Sequence, residues 1–386
     1  MSKIKRCCFL ILIITFTITS TGCWNYREIN NLNLAAGIGL DKETKDKKYI
    51  LTTEILVPKP KNAVSVERSR LVEAEADTVF KAMRNTIKSN GKMIYWSHCK
   101  AMIISEGIAK EGVIQVLDII DRNPEMRPDI SILIADGQSP EKILKEAKSI
   151  EDVTSYKIRD SMDNQDKLPN YSKGDTWDFI SELMKEGIEP TASLVKIVYK
   201  NGKKDFQIGG VAVFKKDKMV GKLNENEAEA FLFIRNQAKG GVIALDKKAS
   251  GIPVNISLEV LKSNCKMTPS YVNGKLAMAI NLDMSVSMTE VEGAEDVIKP
   301  DKRKMVEKAL EEYMKKRIVY VIGKAQQEYN SDIFGFGKTI RNNMPAVWKS
   351  VKGNWDEQFK NLSTEVTVKA NITKTVLTSE SIKPGE

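Results

Sequence analysis

Strict alternation of apolar and polar residues marks the last third of the chain. In residues 254–260 and again in 276–288 every second residue is apolar, which predicts strands with one buried and one solvent-exposed face. Asn273-Gly274 between the two runs is a strong hairpin signal, and residues 366–372 repeat the alternation. The apolar residues of 301–330 recur at helical spacing and offer a cover for the buried face. We therefore predict a C-terminal antiparallel sheet backed by a long helix.

The first half of the chain has a different pattern, in which strand-like and helix-like segments alternate. The predicted strands are 49–57, 93–104, 129–135 and 192–199, and the predicted helices are 78–89 with Asp77 as N-cap, 108–122, one that begins at Ser139-Pro140, and 177–184. Residues 149–174 are polar and fit either a loosely packed helix or a long loop. This alternation implies a mixed or parallel sheet with helical cover.

Two breaks divide the chain beyond its amino terminus. The first is a turn at 201–204, and the second lies near residue 250, where strict alternation begins; between them we predict a hairpin and a helix capped by Asn224. The fold class is therefore α+β. The predicted parts are a leader at 1–22, an N-terminal α/β domain at 23–203, a small middle domain at 204–250 and a C-terminal domain at 251–386.

The amino terminus has the layout of an export signal. Lys3, Lys5 and Arg6 precede residues 7–18, which are almost wholly apolar but too few to span a bilayer, since a transmembrane helix needs about 20. Small residues then lead directly to Cys23, as a lipoprotein signal peptidase requires, although Ser20 stands where such signals usually carry Leu. We predict that Cys23 is lipidated. The alternative is an ordinary secretory signal followed by a buried cysteine.

Charge gives a weaker indication of partners. The chain has 60 basic and 51 acidic residues, and removal of the leader takes away three basic residues and no acidic one, so the mature chain stays basic. The charges are interleaved and no aromatic residues alternate with them, which is typical of a solvated surface and argues against nucleic-acid binding. A mild attraction to an anionic membrane would add to a lipid anchor.

Two of the five cysteines remain for structural roles. Cys7 and Cys8 leave with the leader and Cys23 carries the lipid, so Cys99 and Cys265 are left, in apolar strands of separate domains. Two buried free thiols are favoured over a disulfide between them.

Catalytic chemistry is hard to build from this chain, which contains a single histidine, His98. It lies inside a predicted strand, where Ser97 and Cys99 would point to the opposite face, so we interpret it as a structural histidine in a sheet. Neither a His cluster nor a CxxC pair is present, and we predict no catalytic, metal or cofactor site.

For three other motifs we prefer a structural interpretation over a binding role. The glycine pairs Gly37/Gly39 and Gly335/Gly337 lack the third glycine of a phosphate loop and are predicted to be turns. Trp348 and Trp355, near Phe359, form either a stripe that binds a membrane or a partner, or part of a core, and core packing is favoured.

Four segments resemble one known family along nearly the whole mature chain. They are GCWNYREINNLNLAAGIGLDKE after the leader, WSHCKAMIISEGIAKEGVIQVLDIIDRNPEMRPDISILIADG, IGGVAVFKKDKMVGKLNENEAEAFLFIRN and DIFGFGKTIRNNMPAVWKSVKGNWDEQF. In this order they resemble the Ger(x)C family, the C subunits of bacterial spore germinant receptors.

The resemblance implies a function and a location. Members are lipoproteins on the outer face of the spore inner membrane that associate with two integral membrane partners, the A and B subunits, and have no attributed enzymatic activity. It also implies three domains, each mixing sheet and helix. Cys23, directly before Trp24, matches the cysteine that carries S-diacylglycerol and an N-acyl group such as palmitate. Which germinant is sensed, and whether this subunit contacts it, does not follow.

Two other classes of protein stay open at this point. A solute-binding lipoprotein of a transporter would have two similar lobes and a polar cleft. A lipid-anchored cell-wall hydrolase is the weaker alternative, because the chain has only one histidine.

Overall fold

The computed structural model describes residues 31–292, except 44, 45, 47, 59–67 and 148–151, and residues 300–375, together with residues 4, 5 and 9. Two sheets with helical cover organise this part of the chain, the first with nine strands and the second with four. The α+β class predicted from the sequence is confirmed. Among the described residues no helix is long and apolar enough to cross a membrane.

The first sheet has the strand order β3-β2-β1-β5-β6-β7-β8-β9, and β4 pairs with the start of β1. The pairs β1–β4, β1–β5, β5–β6 and β6–β7 are parallel, whereas the pairs β1–β2, β2–β3, β7–β8 and β8–β9 are antiparallel. The strands are β1 (Leu32–Lys42), β2 (Tyr49–Leu56), β3 (Ser69–Ala76), β4 (Met93–Tyr95), β5 (Ala101–Ile104), β6 (Ser131–Ala135), β7 (Thr191–Lys200), β8 (Lys203–Lys215) and β9 (Lys218–Leu223).

Helices cover both faces of this sheet. One apolar core lies between the sheet and α1, α2, α3 and α6, and a smaller one lies on the other face under α4 and α5. The helices are α1 (Val79–Asn90), α2 (Glu106–Glu111), α3 (Ile114–Arg122), α4 (Pro140–Glu146), α5 (Thr154–Asp163) and α6 (Thr176–Leu183). Successive residues of β5 alternate between the two cores, as expected of a strand buried on both faces.

The second sheet has the order β10-β11-β12-β13. Its strands are β10 (Val242–Leu245), β11 (Asn255–Val272), β12 (Lys275–Glu292) and β13 (Ser363–Thr375). Its helices are α7 (Glu225–Ile234), α8 (Lys247–Ser250), α9 (Pro300–Lys324), α10 (Phe336–Asn343), α11 (Pro345–Val351) and α12 (Trp355–Lys360), with a π-helical turn at Ala325–Tyr329 after α9. The alternating apolar residues of β11 and β12 share one core with α9, as predicted, and Asn273-Gly274 forms the turn.

One strand of the second sheet differs from the prediction. β13 pairs with β12 in parallel, because the chain returns through α9–α12 instead of a hairpin. Glu307 and Glu311 of α9 accept hydrogen bonds from the backbone N–H groups of Ile372 and Ala370 at 2.9 and 3.0 Å. The sheet is therefore mixed, and side chains of the covering helix occupy hydrogen-bonding positions along the edge of β13.

Several predicted boundaries are corrected. The predicted strand 93–104 is interrupted by a 3-10 turn at Trp96–His98, and the predicted helix 108–122 is split near Gly112, whose φ is 134°. Thr78 caps α1, not Asp77: its side chain accepts the N–H of Lys81 at 3.3 Å. Trp348 and Phe359 are buried in the second core with Trp355 packed against it, which confirms core packing for these aromatic residues.

Residues 204–250, predicted to form a middle domain, contribute to both sheets. β8 and β9 extend the first sheet, whereas the apolar residues of α7 lie in the core of the second. The boundary predicted at 203–204 falls beside the turn of the β7–β8 hairpin, so strands on its two sides are hydrogen-bonded neighbours. The division into three domains stays a prediction.

A buried carboxylate explains why residues 149–174 were ambiguous in the sequence. Glu54 of β2 is fully buried and accepts the backbone N–H groups of Thr154 and Ser155, at 2.9 and 2.8 Å, and the hydroxyl of Ser69 at 2.7 Å. The N-cap residue of α5, Val153, has no side-chain oxygen to do this. Glu54 thus caps α5 from about a hundred residues away.

We expect Glu54→Gln to lower the free energy of unfolding by about 2 kcal/mol, because an amide NH₂ then faces a backbone donor and leaves it unpaired. Urea unfolding followed by circular dichroism measures this. Glu73→Gln, on the exposed side of neighbouring β3, is the matched control and should change stability by less than about 0.5 kcal/mol. Equal effects of the two substitutions would contradict the capping role.

Candidate functional site

The predicted lipid site cannot be placed in the fold directly. Cys23, with Ser20 and Trp24, lies outside the described residues, and lipidation stays a prediction. The continuous described chain begins at Asn31 and enters β1 at Leu32. β1 lies between β2 and β5, so the segment that carries Cys23 leads into the interior of the first sheet.

The single histidine does not lie in a strand, so that prediction is wrong in its location. His98 is exposed at the end of the 3-10 turn, with its ring centroid 6.3 Å from that of Tyr95. The Ser97 hydroxyl donates to the backbone oxygen of Glu125 at 2.8 Å, and the Cys99 thiol lies 3.5 Å from the oxygen of Ala101. These three side chains do not converge on a reactive group. In the described part of the chain, no three His, Cys, Asp or Glu side chains are grouped to hold a metal.

Cys99 and Cys265 are free and buried, as predicted. Burial raises the pKa of each thiol to about 12. Because the thiolate is the reactive form, both cysteines are poor nucleophiles at neutral pH.

The pair Gly37/Gly39 does not form the predicted turn, whereas Gly335 ends one that runs from Asp332 through Ile333 and Phe334. Gly37 and Gly39 lie within β1, where a Cβ on Gly37 would collide with the side chain of Ser155 and one on Gly39 would stand 2.8 Å from Cβ of Pro140. These glycines let α4 and α5 approach the sheet closely. Gly335 has a φ of 77° and is the N-cap of α10.

A buried joint connects the first sheet to α10. The carboxylate of Asp332 is buried and accepts the backbone N–H groups of Gly335, Phe336 and Gly337 at 2.8–2.9 Å. The Asp332 carbonyl accepts the N–H of Glu189, which precedes β7, at 2.9 Å. The carbonyl of Gly187 is also part of this joint, since it accepts the N–H of Lys338 at 2.7 Å. We call Gly187, Glu189, Asp332 and Gly337 the acidic joint.

Both carboxyl groups of the acidic joint have perturbed proton affinities. Burial raises the pKa of Asp332 to about 6, even though three N–H groups favour its charged form. Burial also raises the pKa of Glu189 to about 7, against hydrogen bonding by the Lys216 N–H and the charge of Lys215. Lys215 is held beside them, with its ammonium 2.8 Å from both Asp356 and the carbonyl of Asn330. The joint therefore binds a proton more readily when folded than when unfolded.

This raised pKa predicts that acid stabilises the protein in the neutral range. Glu189 has a folded pKa of about 7 against 4.5 when unfolded, so its contribution is full below pH 4.5 and is lost as the pH rises through 7. Glu189→Gln keeps the acceptor for Lys216 and removes the charge. We expect it to raise the free energy of unfolding at pH 8 by about 2 kcal/mol and to flatten its dependence between pH 5 and 8. Denaturant titrations at several pH values measure both; an unchanged slope would contradict this account.

A charged cleft lies where the first sheet meets α7 and α9. Lys222 of β9 pairs with Asp136 at 2.7 Å and Glu106 at 2.6 Å, and Lys324 of α9 pairs with Glu227 of α7 at 2.9 Å. These residues, which we call the lysine cleft, border a cavity of about 520 Å³, except for Glu106. Burial alone would lower the pKa of both lysines, but their hydrogen bonds outweigh it and hold each pKa above the usual value. Each ammonium is already paired with a carboxylate. The cleft therefore has a structural role, in which ion pairs connect β9 to the rest of the first sheet and α9 to α7.

Sequence reasoning missed both the acidic joint and the lysine cleft. One signal was available for the cleft: Asn224 and Glu227 form a capping box, with reciprocal bonds of 3.0 and 2.8 Å, which fixes the position of Glu227. No local signal joins Lys222 to Asp136, because their contact depends on strand order in the sheet.

Comparison with known proteins gives consistent matches along the chain. Residues 25–197 match the family described as "Spore germination protein N-terminal domain", and residues 209–376 match "Spore germination B3/ GerAC like, C-terminal". Spore germination protein KC of Bacillus subtilis (strain 168) is 24% identical over 412 residues, with 98% of each chain covered. Spore germination protein B3 of the same organism is 25% identical over 343 residues, covering 88% of this chain and 90% of that one.

A solved structure shares the fold. The protein described as "Crystal Structure of the GerBC protein" superimposes with a TM-score of 0.54 at 21% identity, over 87% of this chain and 97% of that chain. The two family matches follow one another in order and together take in most of the sequence. The resemblance found in the sequence is thereby confirmed, and the chain belongs to the Ger(x)C family.

Proposed function

We propose that this protein is the lipid-anchored C subunit of a nutrient germinant receptor and is required for spore germination. The observation that carries the proposal is the match to spore germination proteins over nearly the full length of both chains. Family membership supports a role in germination at the coarser level. The predicted export signal that precedes Cys23 supports a location on the outer face of the spore inner membrane, with diacylglyceryl and palmitoyl groups on that cysteine.

In this proposal the protein acts through contacts with integral membrane A and B subunits, not through catalysis. The acidic joint and the lysine cleft support this, because Glu189 and Asp332 connect structural elements and Lys222 and Lys324 are paired with carboxylates.

Deletion and complementation test this proposal. Spores that lack the gene should fail to germinate with the nutrients that the receptor senses, and the intact gene should restore germination. Normal germination of the deleted strain with every nutrient that triggers the parent would contradict the proposed function.

A solute-binding lipoprotein is the second candidate, and the cavity of about 520 Å³ at the lysine cleft is the observation in its favour. Against it, the two sheets differ in strand number and topology, so the chain lacks two similar lobes. A thermal-shift screen of the full-length protein with amino acids and sugars separates the two. Specific stabilisation that is lost in a Lys222→Gln variant would favour solute binding at this cleft.

A further inference from the structure

The end of the first sheet where the amino-terminal segment enters carries an exposed basic surface. It consists of Arg68 and Arg70 at the start of β3 and Lys88 near the end of α1, all of them exposed. We propose that this anchor-side basic surface lies against anionic lipid headgroups and sets the orientation of the protein on the membrane. The inference rests on the proposed function, because it takes Cys23 as the anchor.

Contacts along the sheet place this surface beside the start of β1. Leu32 pairs with Met93 of β4, and the side chain of Asn33 donates to that of Asn90, the last residue of α1, at 2.8 Å. Arg70 donates to the same oxygen of Asn90. The start of β1, the start of β3 and the end of α1 therefore meet at one end of the sheet.

The length of the amino-terminal segment brings this end close to the bilayer. Cys23 precedes Asn31 by eight residues, and a fully extended chain of that length spans at most about 29 Å. A lipid on Cys23 thus limits how far the start of β1 can move away from the membrane. The opposite end of β1, at Lys42, lies about 33 Å farther along the strand.

The two ends of the sheet differ in how their positive charges are balanced. At the far end Lys42 pairs with Glu111, and Lys81 pairs with Asp77 at 2.8 Å. In the described part of the chain none of the three basic residues at the near end pairs with a carboxylate, and Arg70 bonds to the amide of Asn90. Unpaired positive charge near the anchor complements an anionic surface.

Exposed apolar surface accompanies the charge. Ile87, one residue before Lys88, is 37% exposed. An exposed apolar side chain next to a basic one is a combination found in helices that lie at a membrane interface. We therefore commit to a lipid surface, and treat an acidic protein partner as an outcome of the test.

Spin labels on the full-length lipidated protein measure the orientation. Ser89→Cys places a nitroxide beside the basic surface, and Asp77→Cys places one at the far end of the same sheet; Cys99 and Cys265 are buried and do not compete for the label. The protein is reconstituted into vesicles of zwitterionic lipid, with or without anionic phosphatidylglycerol. Accessibility to an aqueous relaxation agent is then read by power saturation.

We expect the Ser89 label to be shielded from the aqueous agent in anionic vesicles at low salt, and exposed in zwitterionic vesicles or high salt. The Asp77 label should stay exposed throughout. Each basic residue near an anionic surface strengthens contact about fivefold, so Arg68→Gln with Lys88→Gln should weaken it about 25-fold and expose the Ser89 label. Lys304→Gln with Lys308→Gln, on the exposed face of α9, is the control with the same loss of charge and should leave the label shielded.

The outcomes separate this inference from the proposed function. Acylated, vesicle-bound protein whose Ser89 label stays exposed would overturn the surface alone. Absence of an acyl group on Cys23 would overturn both. Shielding in spore membranes, but in none of the protein-free vesicles, would identify a protein partner at this surface and overturn the lipid assignment.

Discussion

A Cys23→Ala protein is expected to lose its acyl groups and to leave the membrane fraction of spores, and nutrient-triggered germination should fall with it. Each methylene of a buried acyl chain contributes about 0.8 kcal/mol to membrane binding, so loss of the chains should lower the bound fraction by far more than tenfold. Residues 7–18 do not replace the anchor, because they are too short to span the bilayer. Fractionation with immunoblotting, mass spectrometry of the amino-terminal peptide and germination assays measure the three effects.

The leader offers a matched control. Cys8→Ala removes a cysteine from the apolar run and leaves the lipid acceptor in place, so lipidation and germination should be unchanged. Ser20→Leu introduces the residue that lipoprotein signals usually carry, and should leave processing equal or faster. A Cys23→Ala protein that stays fully membrane-bound with normal germination would show that the anchor is elsewhere.

The second large effect is expected at the acidic joint. Gly337→Ala should lower the free energy of unfolding by about 3 kcal/mol, because its Cβ would stand 2.7 Å from Cα of Gly187 and 2.8 Å from the Trp355 ring. Neither neighbour has a flexible side chain that can move aside cheaply. The substitution should also weaken the bond from Lys338 to Gly187 that ties α10 to the chain before β7. Urea unfolding measures the change.

Gly353→Ala is the control for this prediction. A Cβ there meets no atom within 4 Å, and the residue has no positive φ, so stability should change by less than about 0.5 kcal/mol. A Gly337→Ala protein as stable as the parent would contradict the close approach of α10 to the chain at Gly187.

The second sheet could be predicted well from its sequence because its signals are local. Alternation in 254–260 and 276–288 predicts which face of each strand is buried, and Asn273-Gly274 predicts the hairpin turn between them. The parallel pairing of β13 could not be predicted in this way, because alternation is the same for a parallel and an antiparallel neighbour. The direction is set by the return path through α9–α12.

The features that were missed depend on contacts between distant residues. α5 begins at Thr154 because Glu54 lies beneath it, and Gly37 and Gly39 are required by helices that cross the sheet, not by a turn. Lys222 meets Asp136 only after the strands have been ordered. Patterns within a short stretch of sequence do not predict contacts between such distant residues. The resemblance to a family, spread over four segments, identified the chain although these contacts were not predicted.

The most direct test of the account is chemical crosslinking in spore membranes followed by affinity purification of the full-length protein. We predict that it recovers two integral membrane proteins of the same receptor, crosslinked to this chain, and that the amino-terminal peptide begins at an acylated Cys23. Recovery of the protein alone, with an unmodified amino terminus and no membrane partner, would contradict the proposal that it is a lipid-anchored receptor subunit.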